Sequence, residues 1–525
     1  MRSPDWPILL RSGLWHGQDF LRRRDILLCS MVYWIEQSRR FPVLRQCAAR
    51  VFHRRLNCCK PAGAAGGQRV NRQESGAAAA PLFSRRELWR LIWPLLVEQT
   101  LAVTVGMADT MMVSRAGEAA ISGVSLVDMI NVLIINLFAA LATGGAVVVS
   151  QYLGARRAEK AERGAGQLVV LAAILGTAAG LFCLLLAGPV VGTVYRGLTD
   201  DVFAASVTYL RITAVSYPFL AVYNAGAAIF RSMGNSRISM QVSILMNVVN
   251  VVGNAIGVLV LQLGVAGVAW PSVISRALAA GLILYCAARP DNLLRLRSAN
   301  LRWLDGAMVR RILTIGIPSA FENSLFQAGR ILVVSVITAF GTVQITANAV
   351  ANNLDGMFCI PGQAIGLAMI AVVGRCIGAG DHRQTVRYTK LLTGLAFAAM
   401  GLTGLVLLSL LPQALSLYVL SGETLALAEL LIRIHCGVGM VLWPLSFVLP
   451  NALRAAGDVR FTMISSIVSM ALWRIGLSYV LGLSLGWGAI GVWIAMIVDW
   501  LCRAVCFVWR FAGGRWKQKY HPDAT

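Results

Sequence analysis

An all-α polytopic membrane protein, with twelve transmembrane helices in two pseudo-symmetric lobes of six, is the fold class that this sequence predicts. Three observations carry the prediction: the composition, a regular succession of apolar segments and an internal repeat. Hydrophobic residues make up 57% of the 525 residues and charged residues only 14%, and the mean hydropathy is +0.68. Such a composition is typical of chains that cross a bilayer many times.

Twelve apolar segments follow one another from Arg85 onward. Each is long enough to span a membrane, because about 20 apolar residues cross the ~30 Å hydrocarbon core. We predict transmembrane spans at residues 89–113, 119–150, 166–190, 206–231, 238–262, 266–287, 309–339, 345–375, 390–412, 426–453, 461–483 and 487–511.

The connections between these spans alternate in charge, and this alternation predicts the orientation. One side receives the basic runs, for example Arg156-Arg157 and the linker from Arg289 to Arg311, whereas the other has only Arg115 and Arg196 as basic loop residues. Basic loops stay on the cytoplasmic side. We therefore predict a multi-pass protein of the inner (plasma) membrane with both termini cytoplasmic. Basic residues placed in this way also argue against a nucleic-acid groove, despite the net charge of +23.

An internal repeat with an offset of about 224 residues relates the two halves. It places Pro94-LLVE on Pro318-SAFE, and VVSQYLGA at 148–155 on VVGRCIGA at 372–379. Each repeat holds six spans, an even number, so the halves share one orientation and their pseudo-axis runs along the membrane normal. The predicted divisions are an N-lobe at 85–288, a cytoplasmic linker at 289–308, a C-lobe at 309–513 and a tail at 514–525.

Residues 1–84 differ from the rest of the chain. They hold 14 Lys and Arg against 5 acids, with a Gly/Ala-rich run near their end and no segment that spans a membrane. The charges in the first residues and the lack of a clean apolar core do not fit a signal peptide. We expect a disordered basic extension, or a start codon assigned too far upstream.

Two carboxylates stand in the first span, Glu98 and Asp109. A charge at the centre of a membrane helix costs about 2.5–3.5 kcal/mol on insertion scales, so neither side chain is expected to face lipid. Eleven residues are about three turns, which places both acids on one helix face, roughly 16 Å apart. They either face a water-filled cavity or are satisfied by partner helices.

Further polar residues recur inside the spans. The i, i+3 pairs Asp128/Asn131 and Asn352/Asp355 occupy corresponding places in the two halves, and either line the substrate cavity or join helices by hydrogen bonds. Glu322 is the repeat counterpart of Glu98, and we assign both to the cavity. Carboxylate, amide and hydroxyl oxygens are ligands that a hard cation accepts. The candidate cation site consists of Asp109, Asn250, Asn254 and Ser272.

Enzymatic chemistry is disfavoured by the motifs. The sequence has no nucleophile–base set, no Gly-rich nucleotide loop and no HExxH, and its eleven cysteines form no CxxC pair. We therefore expect no catalytic residues, no cofactor, and no metal beyond a possible Na⁺ at Asp109.

Several stretches together resemble the MATE (multidrug and toxic compound extrusion) transporters, in particular their bacterial DinF-like branch. They are PLLVEQTLAVTVGMADTMMVS, GGAVVVSQYLGARR, RSMGN, NVVNVVGN followed by LGVAGVAW, and GVWIAMIVDW. The resemblance covers about residues 85–515 and is specific as a set. It implies a twelve-helix antiporter that exports cationic, amphipathic compounds in exchange for Na⁺ or H⁺.

The resemblance also implies roles for particular residues. The family's first-helix aspartate falls on Asp109, its fifth-helix Asn-x-x-x-Asp on Asn250 and Asn254, and its sixth-helix threonine on Ser272. Asn254 departs from the pattern because the acid is lost, which shifts the burden of cation binding to Asp109. The seventh-helix glutamate of other branches lies further past the proline than Glu322 does, so that correspondence is weak.

We therefore predict a monomeric, cation-coupled (H⁺ or Na⁺) antiporter, not an enzyme, whose partners are the lipid bilayer and small cationic or amphipathic substrates. The alternative is a flippase for a lipid-linked sugar on a related two-lobe fold. Such a flippase needs a cavity ringed by Arg and Lys to hold pyrophosphate, whereas acids outnumber basic residues among the central positions of this chain. A membrane-embedded enzyme is the third and least favoured class.

Overall fold

The computed structural model describes residues 81–113, 117–195, 198–297, 300, 304–418 and 420–519, apart from the side chains of 107, 108, 110 and 111. The predicted extension at 1–84 therefore lies almost wholly outside the described residues. Within them every regular element is a helix.

Twelve helical passes succeed one another. The fourth and the eighth are each broken into two helices, and shorter helices at Ala187–Val194, Leu411–Ser416 and Leu449–Ala455 follow the third, ninth and tenth. The passes are α1 Arg85–Val113, α2 Glu118–Gly154, α3 Ala158–Leu185, α4a Asp200–Val215 with α4b Tyr217–Ser232, α5 Ser236–Ala255, α6 Ala266–Ala288, α7 Gly306–Thr338, α8a Thr342–Phe358 with α8b Ile360–Gly378, α9 His382–Ser409, α10 Gly422–Trp443, α11 Val459–Ser469 and α12 Gly488–Ala512. Stretches of π-helix extend α5 at Ile256–Val260, α10 at Pro444–Val448 and α11 at Met470–Gly476 and Tyr479–Ser484.

The predicted fold class is confirmed. Ten helices in the described part of the chain are long and apolar enough to cross a membrane, and the pair α4a–α4b, bent by 47°, makes eleven. The twelfth pass is α7, which has 33 residues but is less apolar because it carries Glu322, Arg330 and two arginines in its first turns.

The breaks inside two passes differ from the sequence prediction, which gave 206–231 and 345–375 as single spans. Each is instead a pair of helices, and the second helix of each pair has a proline in its first turn, Pro218 in α4b and Pro361 in α8b. Proline has no N–H to donate and its ring collides with the preceding turn, so a helix tends to end before it.

The first turns of α1 and of α7 each pack into the hydrophobic core of the opposite lobe. The core around α2 to α6 includes Met308, Ile312 and Ile315 from the start of α7. The core around α8 to α12 includes Leu91 and Leu95 from the start of α1. Each repeat therefore begins inside the other lobe's core, and these crossings tie the lobes together at one end. We call it the basic end, because odd-numbered helices begin there and the basic loops lie there.

Two symmetric glycine contacts close the basic end. A Cβ atom on Gly154, at the end of α2, would lie 2.0 Å from the carbonyl oxygen of Arg375. A Cβ atom on Gly378, at the end of α8b, would lie 1.9 Å from the carbonyl oxygen of Gln151. Only glycine allows the backbones to approach this closely. These residues belong to the repeated motif at 148–155 and 372–379, so the repeat places matching surfaces face to face.

Hydrogen bonds with the same symmetry reinforce this closure. Gln151 Nε2 donates to the Ala455 carbonyl at 2.9 Å, and its repeat counterpart Arg375 donates through Nε to the Ser232 carbonyl at 3.0 Å. Arg311 of α7 adds a donor to the Tyr152 hydroxyl at 2.8 Å. In this conformation the lobes are thus latched at the basic end.

Candidate functional site

The four predicted cation-site residues lie together inside the N-lobe. Asn254 Nδ2 donates to Asp109 Oδ1 at 2.8 Å. The Asn250 amide has one orientation that satisfies both of its ends: its nitrogen donates to Asp109 Oδ1 at 3.1 Å and Oδ2 at 3.2 Å, and its oxygen accepts from Ser272 Oγ at 3.0 Å. Asp109 is half-buried and the other three are buried. The structure thus brings the four predicted residues into contact, and the roles assigned to them remain predictions.

Close packing of α5 on α6 assembles this cluster. A Cβ atom on Gly257 would lie 2.2 Å from the Gly267 carbonyl oxygen, and one on Gly253 would lie 2.6 Å from Pro271. Because two helices approach this closely only where side chains are absent, the glycines bring Asn250 and Asn254 beside Ser272. The i, i+4 spacing of the two asparagines turns both amides toward Asp109.

The chemistry of the cluster suits a hard cation or a proton. Asn254 is fully buried, and its Oδ1 has no hydrogen-bond partner among the described residues. A buried acceptor without a donor costs about 1–3 kcal/mol, so an oxygen of this kind is suited to face a cation or a water molecule. One carboxylate, two amide groups and one hydroxyl form an oxygen-rich set of the kind that Na⁺ accepts.

A second polar network lies in the same lobe between α2 and α4. Tyr209 Oη donates to Asp128 Oδ1 at 3.3 Å, Asn131 Nδ2 donates to the same oxygen at 3.1 Å, and Tyr217 Oη donates to Asn131 Oδ1 at 2.7 Å. Asp128 remains exposed and Asn131 is buried. The pair therefore both joins helices and presents a carboxylate to the surroundings, so the two roles predicted for it are compatible.

Arg276 is a residue that the sequence analysis missed. It lies on α6, donates to Ser216 Oγ at 2.6 Å, and is within electrostatic reach of Asp109 and Asp128. An arginine inside an apolar span is itself a signal, because its cost in lipid requires a partner. This part of the N-lobe thus combines the carboxylates of Asp109 and Asp128 with the guanidinium of Arg276.

Glu98 and Glu322 occupy matching ion pairs, one in each lobe. Arg231 Nη2 contacts Glu98 Oε1 at 2.6 Å, and Arg454 Nη2 contacts Glu322 Oε1 at 2.7 Å. Serine hydroxyls add a hydrogen bond to each carboxylate, from Ser239 at 3.2 Å and from Ser466 at 2.6 Å. Both acids are buried and compensated in this conformation, so a role in the cavity requires that these pairs open.

The two ion pairs also make a prediction about stability. Arg454→Ala should lower the free energy of unfolding by about 3 kcal/mol, because it leaves the Glu322 carboxylate buried without its counter-charge. The pair Arg297–Glu162 at the basic end, at 3.8 Å, is the control, and Arg297→Ala should cost about 0.5 kcal/mol or less because Arg297 lies exposed in a loop. Melting temperatures of the purified variants in one detergent test this; equal shifts would show that the buried pair adds nothing.

Asn352 and Asp355 lie in the C-lobe. Asn352 Nδ2 donates to Asn348 Oδ1 at 3.0 Å, within its own helix. Asp355 Oδ1 lies 2.6 Å from His435 Nε2, and the histidine is buried and in ring contact with Trp493 and Trp500. The sequence analysis overlooked His435, a single histidine in an apolar span whose partner stands 80 residues earlier.

A small cavity lies between the lobes, among α2, α4b and α8b. Its volume is about 70 Å³, and its polar lining comes from Thr143, Asn224, Arg231 and Ser232. That is room for a few water molecules, far below the ~300 Å³ of a typical drug-binding pocket. In the described part of the chain, no three His, Cys, Asp or Glu side chains are grouped as a metal site.

A two-lobed bundle of twelve passes, with polar clusters held inside it, defines a polytopic membrane transporter. The MatE family model matches residues 94–256 and, a second time, residues 318–480. The chain therefore belongs to the MATE family of transporters, and the two matches fall on the two repeats found in the sequence. Placement in the DinF-like branch stays a prediction.

Relatives and solved structures agree with this assignment. The uncharacterized transporter YisQ of Bacillus subtilis is 28% identical over 85% of this chain and 98% of its own length. A probable multidrug resistance protein NorM of Thermotoga maritima is 24% identical over 83% of this chain and 94% of its own. A crystal structure of MATE in complex with MaL6 superposes with a TM-score of 0.77 at 21% identity, over 82% and 97% of the two chains. That structural likeness speaks for the fold alone.

Proposed function

We propose that this protein is a cation-coupled antiporter that exports cationic, amphipathic compounds by alternating access between its two lobes. The observation that carries the proposal is the Asp109 carboxylate surrounded by Asn250, Asn254 and Ser272. Several of its relatives are named as probable multidrug resistance proteins, which supports a role in drug efflux.

Coupling requires that one ligand favours one conformation over the other. In the proposed cycle, a proton or Na⁺ at Asp109 neutralises the carboxylate and weakens its attraction for a cationic substrate. Arg276 already offsets part of the negative charge near Asp109, so neutralisation of Asp109 brings the net charge of Asp109, Asp128 and Arg276 from −1 to zero. The lobes then separate at the basic end and close at the opposite end, and substrate and ion cross the membrane in opposite directions.

The orientation follows from the basic loops. We place the basic end on the cytoplasmic side of the plasma (inner) membrane, with both termini there, because Lys and Arg accumulate in loops that are not translocated. The conformation described here is then closed toward the cytoplasm, as required for the release of substrate outside. We propose that the transporter works as a single chain and without a cofactor.

Transport by purified protein in liposomes tests the proposal. Ethidium, a cationic aromatic dye, should move against its gradient when an opposing H⁺ or Na⁺ gradient is applied, with each ion tested alone. Collapse of the effective gradient by an ionophore should stop the transport. Protein-free liposomes and Asp109→Asn are the controls. If neither gradient drives ethidium in the wild type beyond these controls, cation-coupled export of such compounds is wrong.

A further inference from the structure

The C-lobe holds a positively charged cluster at the place where the N-lobe holds its acidic one. The repeat offset of 224 places Asn250 on Arg474, Ser272 on Met496 and Asp109 on Val333. The contacts confirm this correspondence: Asn250 and Ser272 lie 3.0 Å apart, and Arg474 Nη2 lies 3.0 Å from Met496 Sδ. In the C-lobe a guanidinium therefore replaces an amide, and a valine replaces the carboxylate.

The charges around Arg474 do not cancel. Asp499 is fully buried, and its Oδ1 accepts from Arg503 Nε at 2.9 Å and from Ser469 Oγ at 2.6 Å. Arg474 Nη1 stands 3.9 Å from the other oxygen, Asp499 Oδ2, which is beyond hydrogen-bond distance. Two buried guanidinium groups thus share one carboxylate. Arg330 adds a further positive charge within electrostatic reach, and Asp355, a second acid in reach, is paired with His435.

Arg474 retains unused donors. The residue is 7% exposed, and its Nε and Nη1 have no hydrogen-bond partner among the described residues. A buried guanidinium that shares its counter-charge with a second arginine is only partly compensated, so this group favours a further anionic partner. Its segment, Met470–Gly476, is π-helical, and such irregular turns frequently occur at functional sites.

An aromatic ring completes the cluster. Phe326 of α7 lies 5.1 Å from the Arg474 guanidinium carbon and 5.2 Å from that of Arg503. The half-buried Phe326 and the exposed Arg330 are one turn apart on α7. A ligand with a planar apolar body and an anionic oxygen group would match this combination of ring and guanidinium.

We propose that Arg474, Arg503 and Phe326 form an anion-binding site in the C-lobe that takes the carboxylate of an aromatic solute. Arg474 supplies the free donors, Arg503 keeps Asp499 neutralised, and Phe326 packs against the ligand ring. The site is separate from the Asp109 cluster, and its existence does not depend on the coupling ion or on the direction of transport.

Binding to the purified full-length protein tests this site with three probes: benzoate, benzyltrimethylammonium and inorganic phosphate. Benzoate should raise the melting temperature in a saturable manner, because a ligand of the folded state stabilises it. Arg474→Met should weaken benzoate binding at least about tenfold, since it removes charge-assisted hydrogen bonds. Arg433→Met removes an exposed arginine of α10 and should bind benzoate as the wild type does.

Three results would each contradict the proposed anion-binding site. They are no saturable effect of benzoate on the wild type, an effect of phosphate without one of benzoate, and unchanged benzoate binding by Arg474→Met. The assay measures equilibrium binding without an ion gradient, so its outcome is independent of the proposed export function.

A labelling experiment on the wild type avoids dependence on a foldable variant. Phenylglyoxal reacts with guanidinium groups, and peptide mass spectrometry reports the modification of Arg474. Benzoate should slow this reaction and benzyltrimethylammonium should not. Complete absence of labelling would mean that no solute reaches Arg474, and it would contradict the proposal as well.

Discussion

Asp109→Asn is expected to abolish coupled efflux while the protein remains folded. The substitution keeps the volume of the side chain and one acceptor oxygen for the Asn254 amide, which donates to Asp109 Oδ1 at 2.8 Å in the wild type. Packing should therefore change little. It removes the only group of the four-residue cluster that can take up a proton or neutralise a cation. Ethidium efflux from cells with matched membrane levels should fall to that of cells without the transporter.

Glu98→Gln is the matched comparison for this variant, since both acids stand on α1. The Glu98 carboxylate is compensated by Arg231 at 2.6 Å, so the loss of its charge alters an ion pair and leaves the cation cluster in place. We expect Glu98→Gln to reduce efflux less than Asp109→Asn does. Wild-type efflux by Asp109→Asn, or a larger loss in Glu98→Gln, would place the coupling site elsewhere on the helix.

Side chains added at Gly154 and Gly378 are expected to prevent the basic end from closing. In Gly154→Ala and Gly378→Ala the added Cβ would stand 2.0 Å and 1.9 Å from a backbone carbonyl oxygen of the opposite lobe. Backbone atoms in two packed helices cannot move aside as a flexible side chain can, so the lobes must separate. The double variant should lose at least about nine-tenths of its efflux, because alternating access needs this closure.

A cysteine introduced at Ser150 gives a direct reading of the contact between the lobes. Ser150 of α2 is fully buried, and its Cβ lies 2.7 Å from the position that a Cβ atom on Gly374 of α8b would occupy. In a cysteine-free background that carries Ser150→Cys, a water-soluble maleimide should label the thiol faster in Gly378→Ala than in the glycine parent. Gly394→Ala is the control, because a Cβ there meets nothing within 4 Å. Normal efflux and unchanged labelling in the variant with both Gly154→Ala and Gly378→Ala would show that the lobes close without the two glycine contacts.

The membership of the cation cluster could be predicted from local signals. Asn250 and Asn254 share a helix face by spacing, and a carboxylate in an apolar span must be partnered, so the sequence marks the oxygen-rich residues of α1, α5 and α6 as candidates. The resemblance to a known family points to the same four residues, Ser272 included. What the spacing could not predict is the contact itself, because the approach of α5 to α6 depends on glycines that face one another across the interface.

The sequence by itself determined the number of passes, their order, the repeat and the basic end. Each of these depends on hydropathy and charge along the chain, and the bilayer acts on those properties segment by segment. Only the tertiary structure decided which acids are neutralised. Glu98 pairs with Arg231, which lies 133 residues further along the chain, and Asp355 contacts His435, which lies 80 residues further along. The tertiary structure also decided the glycine contacts that close the basic end and which Arg474 donors lack a hydrogen-bond partner among the described residues. Such pairings follow from how helices distant in sequence pack together, and one-dimensional patterns do not contain that information.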